Sequence, residues 1–192
     1  LDVLDWRVKE NSTVTYSVGG LILNNSGAIT ANYWLSEIYD EEIGKAMIDR
    51  TALFLLAYGI KSLDKPCKRV KGSVADGIVY YDFAVDGGAF TNDELQQAEA
   101  HIAQAIVANY PMGCRKFPYF KSKKELLSQG ETYILDYIDD HDDYGPVVMQ
   151  VMNNFADLDQ GLLLGDLTLL KAIHLTQETQ GDICRVTASV EL

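Results

Sequence analysis

The stretch from Thr51 to Ile60, Thr-Ala-Leu-Phe-Leu-Leu-Ala-Tyr-Gly-Ile, would put apolar side chains on every side of a helix instead of along one stripe. A helix apolar all round has to lie in the middle of a fold, with other elements covering each face. It is the longest apolar stretch in the chain and falls well short of the ~20 residues needed to span a bilayer. Asp40 can cap this helix, and Glu41 and Glu42 put acids in its first turn. Ile43, Met47, Phe54 and Tyr58 recur at helical spacing, and Pro66 forces an end near Leu63. At 192 residues the chain has room for one domain, or one and a fragment, with a core that needs no metal or disulfide.

The rest of the sequence must wrap this helix. Val14, Tyr16 and Val18 alternate, Gly19-Gly20 breaks the run, and Leu21-Ile22-Leu23 precedes the turn Asn24-Asn25-Ser26-Gly27. Residues 29–39 could add one more strand. Val79-Tyr80-Tyr81-Asp82-Phe83 is strand-like and Asp86-Gly87-Gly88 is a turn. Thr91 and Glu94 then form the Thr-x-x-Glu pattern of a capping box. Leu95, Ala98, Ile102, Ala105, Ile106 and Asn109 share one face of the helix that follows, and Pro111 stops it. Residues 121–130 read as a short helix ended by Gly130, and Tyr133 to Ile138 as an apolar–acidic segment. Val147 to Met152 is a strand, with weaker strands at Leu167 to His174 and Ile183 to Val190. The expected class is α+β, an antiparallel sheet with helices packed on one face. The expected division is a β-rich segment, residues 1–40, followed by an α+β domain, residues 41–192.

Charge narrows the functional classes. With 16 Lys and Arg against 28 Asp and Glu, the net charge is −12, so the chain as a whole is repelled by phosphate and any RNA contact must be local. Two windows hold nine of the 16 basic residues. One carries Lys65, Lys68, Arg69 and Lys71. The other carries Arg115, Lys116, Lys121, Lys123 and Lys124, beside Phe117, Tyr119 and Phe120. Both are candidates for a partner or RNA surface, set against the alternative of ordinary charged loops. Cys67, Cys114 and Cys184 are widely spaced and form no zinc pattern, which reads as reduced structural thiols in an intracellular compartment. His101, His141 and His174 have no local Cys or His partner, and no metal site or cofactor is expected. Asp139-Asp140-His141-Asp142-Asp143 lacks the spacing of a calcium loop and reads as a solvated acidic loop. Residues 1–10 show no targeting pattern. A start at Leu1 is what a cleaved organellar presequence leaves, and also what loss of a disordered terminus leaves.

The order of motifs resembles one family. Tyr80-Tyr81-Asp82-Phe83, a turn, then Phe90-Thr91-Asn92-Asp93-Glu94-Leu95 and Glu99 resemble the "GFYYDF" strand and "FT-x-E-D-L-x-x-I-E" helix start of bacterial-type threonyl-tRNA synthetase, in its second N-terminal domain. That domain edits mischarged seryl-tRNA. Upstream, Arg50 to Ala57 with Ile60-Lys61-Ser62-Leu63 resembles "RHSxAHLLAxAIKxL", and Gly72-Ser73-Val74 resembles "GPV". Downstream, Gly130-Glu131-Thr132-Tyr133 with Leu135 resembles "GExYKxxL", Phe155 to Gly161 resembles "FVDLCRGPH", and Lys171 lies near "KAFKL". The resemblance covers residues 42–175 and implies an editing-domain-like fold. It leaves residues 1–40 as a candidate remnant of the β-grasp domain that precedes it in the synthetase.

The family's pocket uses the two histidines of HxxxH on the helix and the Cys and His of C-x-x-x-H. Positions i and i+4 share a helix face, so both imidazoles reach one cleft. The corresponding positions here are Arg50, Phe54, Asp159 and Leu163. Phe54 and Leu163 carry no proton-transfer group, arginine is too basic to act as a base near neutral pH, and the family's Arg-Gly-Pro has become Gln160-Gly161-Leu162. The resemblance therefore implies a domain that kept the fold and lost the hydrolase. An Arg50–Asp159 ion pair is expected beside a pocket filled by Phe54 and Leu163.

The expectation is a non-catalytic subunit of a large assembly, binding neither cofactor nor small-molecule substrate. A mitochondrial large-subunit ribosomal protein is a relative of this kind, which would place the chain in the mitochondrial matrix among protein subunits with local rRNA contact. The alternatives are a scaffold subunit of another organellar complex, a Ser-tRNA deacylase, or a tRNA-binding module.

Overall fold

The computed structural model describes residues 4–9, 13–18, 21–23, 41–128, 130–141, 147–158 and 161–192. Strands β1 (Leu4–Lys9), β2 (Thr13–Val18) and β3 (Leu21–Leu23) form an antiparallel sheet in sequence order. The expected strand within residues 29–39 lies outside the described residues.

The central helix, α1 (Glu41–Lys61), is where the apolar run predicts it. Ala52, Leu53, Phe54, Leu55, Leu56, Ala57 and Ile60 are all buried. One side of α1 rests on the antiparallel sheet β4-β5-β10-β9, built from β4 (Cys67–Ala75), β5 (Ile78–Val85), β9 (Ala172–Gln180) and β10 (Ile183–Glu191). Val79, Tyr81, Phe83 and Val85 of β5 and Cys184, Val186 and Ala188 of β10 supply the inner face. On the outer face Arg185 pairs with Asp82 directly across the β5–β10 ladder, with Nε–Oδ1 2.8 Å and Nη2–Oδ2 2.9 Å, and stacks on Tyr80.

Helix α2 (Asn92–Val107) covers β9 and crosses α1. Its start is the capping box read from the sequence. Glu94 N donates to Thr91 Oγ1 at 3.2 Å, and Thr91 N donates to Glu94 Oε2 at 2.7 Å. The crossing needs a bare backbone at Gly59, where a Cβ would stand 2.8 Å from Ile102 Cγ1 and 2.9 Å from the Ala98 carbonyl oxygen.

A second antiparallel sheet, β6-β7-β8, is formed by β6 (Met112–Phe117), β7 (Val147–Met152) and β8 (Phe155–Leu158). Helices α3 (Tyr119–Ser128) and α4 (Thr132–His141) close over it, burying Tyr119, Leu126, Ile134, Leu135 and Ile138 against Val147 and Met149. The α+β class holds, with the helices divided between two sheets of the main body. The segment after Tyr133 is a helix, and the acidic run at Asp139 starts inside it instead of in a loop. The weak strand expected at Leu167 begins as a short 3-10 turn, Leu167–Leu169, and becomes extended from Ala172.

Both outer strands of the four-stranded sheet have a backbone donor closed by a carboxylate. Arg69 N on β4 donates to Glu131 Oε2 at 2.9 Å, and Leu175 N on β9 donates to Glu99 Oε1 at 2.6 Å. Filling an edge donor with a side chain removes part of the template for pairing with another chain.

Candidate functional site

Arg50 and Phe54 lie one turn apart on α1, as the i, i+4 spacing requires. Phe54 is 2% exposed, and its ring meets Phe155 of β8 at a centroid distance of 5.2 Å. Leu163, also 2% exposed, sits in the same core. The loop holding Leu163 is tied to α1 through Thr51, whose hydroxyl donates to Met47 O at 2.7 Å and accepts from Leu164 N at 2.8 Å. Arg50 is half-buried, and its guanidinium lies where a side chain on Gly161 would stand, 2.9 Å from the position of a Cβ. Gly161 has φ +108°, so glycine is required there for conformation as well as for space. Arg50 also borders a surface hollow of about 490 Å³ with Lys45, Asp49 and Ser73, which neither Phe54 nor Leu163 lines. Asp159, and with it the expected Arg50–Asp159 pair, lies outside the described residues.

Next to these positions is a buried charge network that sequence reasoning missed. Its centre is Arg69, which is 1% exposed. Arg69 Nε is 3.2 Å from Glu131 Oε1, and Nη1 is 3.1 Å from Asp157 Oδ1 and donates to Ala156 O at 2.8 Å. Lys61 Nζ reaches Glu131 Oε1 at 2.8 Å and donates to Cys67 O at 2.9 Å. Tyr81 OH donates to Asp157 Oδ1 at 3.2 Å, and Leu158 N donates to the same oxygen at 2.8 Å. The Arg69 guanidinium also stacks on the Phe155 ring, 5.2 Å from its centroid. Phe54, Phe155, Arg69 and the two carboxylates thus form one continuous interior contact.

Burial raises the Asp157 carboxyl above its ordinary range against the opposing pull of Arg69, and burial together with Asp157 raises the Tyr81 phenol well above its usual value. Burial lowers the Arg69 guanidinium, but Asp157, Tyr81 and Glu131 outweigh it and the net shift is upward. The guanidinium stays charged, two carboxylates face two cations, and Tyr81 stays protonated.

This corrects the reading of Arg69 as part of a basic surface: its guanidinium is an interior structural group. Lys65 is committed as well, to Glu94 Oε2 at 2.8 Å and Ala89 O at 2.9 Å. Lys68 and Lys71 remain exposed on β4. In the second window Arg115, Lys121 and Lys124 are exposed, and Lys123 lies over the Tyr119 ring at 5.6 Å. Lys116 belongs to β6, and its side chain lies outside the described set.

His101 is half-buried on α2, and exposed His174 lies 4.0 Å from Glu191. Cys67 and Cys184 are buried thiols pushed up by burial, and Cys114 is a half-buried cysteine. Among the described residues no group of three or more His, Cys, Asp or Glu could hold a metal ion, and no helix is long and apolar enough to cross a membrane.

No family model matches the chain. Individual relatives do. Over 136 residues, 71% of this chain, it is 29% identical to a threonine–tRNA ligase of Solidesulfovibrio magneticus, covering 21% of that protein. Over 134 residues, 70% of this chain, it is 28% identical to a threonine–tRNA ligase of Halorhodospira halophila, covering 21% of it. Over 122 residues, 63% of this chain, it is 32% identical to the corresponding ligase of Verminephrobacter eiseniae, covering 19%. The chain thus carries a region related to threonyl-tRNA synthetases, and it spans about a fifth of the length of the curated relatives it matches.

Proposed function

We propose that this chain is a catalytically silent relative of the synthetase editing domain, serving as a structural subunit of a larger assembly. The assembly favoured by the resemblance is the mitochondrial large ribosomal subunit, in the matrix. The observation that carries the proposal is the state of two aligned pocket positions, Phe54 and Leu163, both hydrocarbon and both packed in the core. Neither can orient water or move a proton, and general acid–base catalysis needs a group that can. In the neighbouring Arg69 network, Glu131 and Asp157 are both held in ion pairs. The net charge of −12 favours a peripheral position held by protein contacts over burial within rRNA.

The test has two parts. Affinity purification of the tagged chain from its own cells, followed by identification of the associated chains, is expected to return large-subunit ribosomal proteins and rRNA. Recovery of respiratory-complex subunits would move it to another organellar assembly. Purified chain incubated with Ser-tRNA(Thr) is expected to release serine at the uncatalysed rate. Turnover above that rate would replace this reading with an editing function, and a tRNA gel shift at physiological salt without turnover would replace it with a tRNA-binding one.

A further inference from the structure

The segment that forms β6 and α3 is basic within an acidic chain. Residues 112–128 carry five basic residues, Arg115, Lys116, Lys121, Lys123 and Lys124, against the single acid Glu125, in a chain whose net charge is −12. Large apolar side chains stand exposed among them: Phe120 is 77% exposed and Leu127 53%. Phe120, Lys124 and Leu127 are spaced i, i+4, i+7 and so form one stripe on α3. Lys121, in the same first turn, turns toward a hollow of about 220 Å³ at the end of the second sheet that α3 and α4 leave uncovered. Arg115 and Lys121 stand at this hollow, and Phe117, Met149, Val151 and Phe155 line it with hydrocarbon.

We propose that this face docks a segment of a partner protein that is acidic and carries a large apolar anchor residue. The anchor enters the hollow, its flanking carboxylates meet Arg115, Lys121 and Lys124, and the Phe120–Leu127 stripe supplies the apolar contact alongside. Charge complementarity selects this occupant. A second copy would bring the same cations against each other, and like charges across an interface are unfavourable. RNA would find phosphate partners in the same cations. The chain's net charge of −12 repels a polynucleotide as a whole, however, whereas a short acidic segment answers only the local cations. The inference rests on the structural-subunit reading only in taking a protein as the partner, and its test is independent of the deacylation assay.

The probe is a random linear peptide library displayed on phage and selected against the full chain. Individual peptides are then measured by fluorescence anisotropy. Enriched peptides are expected to carry Asp or Glu around a Leu, Phe or Trp. They should bind about tenfold more weakly to Lys121→Glu/Lys124→Glu and to Phe120→Ala/Leu127→Ala. Those side chains are exposed, so both variants should keep the parent's circular dichroism, and Lys68→Glu/Lys71→Glu should bind as the parent does. No enrichment, peptides lacking acids or an anchor, or binding unaffected by the α3 variants would overturn the proposal. So would a uridine 20-mer that binds this face, loses binding in the charge reversal, and outcompetes every selected peptide.

Discussion

Arg69 Nη1 and Asp157 Oδ1 meet at 3.1 Å in the interior, joining an edge strand of the larger sheet to the last strand of the smaller one. Removing the cation leaves Asp157 and Glu131 buried together, with Lys61 as the remaining counter-charge. Arg69→Met is therefore expected to lower unfolding free energy by about 3–5 kcal/mol, the usual cost of breaking a buried pair. Arg69→Met/Asp157→Asn should recover part of that loss. Arg69→Lys should not restore the parent, because a point charge cannot address Glu131 through one nitrogen and Asp157 through another. Urea denaturation checks all three, and an Arg69→Met cost below about 1 kcal/mol would remove the network from the stability argument.

Gly59 sits where α1 crosses α2. Gly59→Ala gains up to about 1 kcal/mol of helix propensity, but its methyl meets a backbone oxygen that cannot rotate away. Overpacking of this kind costs about 1–3 kcal/mol, so a net loss in the urea midpoint is expected. Ile102→Val should relieve only the side-chain part of the clash and leave the variant below the parent.

Thr51 Oγ1 holds the loop carrying Leu163 through the Leu164 amide. Thr51→Val keeps the shape and orphans that amide, at an expected cost of about 1–3 kcal/mol. Hydrogen exchange should show the Leu164 amide opening faster than in the parent, and unchanged exchange there would contradict the role given to Thr51.

The hydrogen bond from Lys65, aided by the Thr91 amide, holds the Glu94 carboxyl below its ordinary value of 4.5. A carboxyl lowered in the folded state stabilises the fold above its unfolded pKa and loses that contribution as pH falls through the lower folded value. Glu94→Gln keeps the capping geometry and removes the charge. The stability gap between it and the parent should be full near neutral pH, begin to close below about pH 4.5, and vanish at more acid pH. Urea midpoints measured from pH 7 downward test this, and a gap independent of pH would contradict it.

The elements most legible in the sequence were those whose signals are local. The all-round apolar run placed α1, the Thr91–Glu94 box and the Leu95–Ile106 face placed α2, and the alternation at Val79–Phe83 placed β5. In α4, Ile134, Leu135 and Ile138 do mark a buried helical face, but the acids among them left it read only as an apolar–acidic segment, and the run from Asp139 as a loop. β4 and β6 were obscured because their basic residues read as surface, although Arg69 points inward. That Phe54 and Leu163 are buried follows from their apolar side chains alone. The charge network does not, because Arg69, Glu131 and Asp157 are brought together only by tertiary structure, across 62 and more positions of sequence.

From the rim of one sheet, the guanidinium of Arg69 reaches both the residue just before α4 and the final strand of the other sheet. Together with the Phe54–Phe155 and Tyr81–Asp157 contacts, that reach means the two sheets cannot separate without stripping buried charges of their partners. Opening that joint would therefore cost more than parting two apolar faces of the same size.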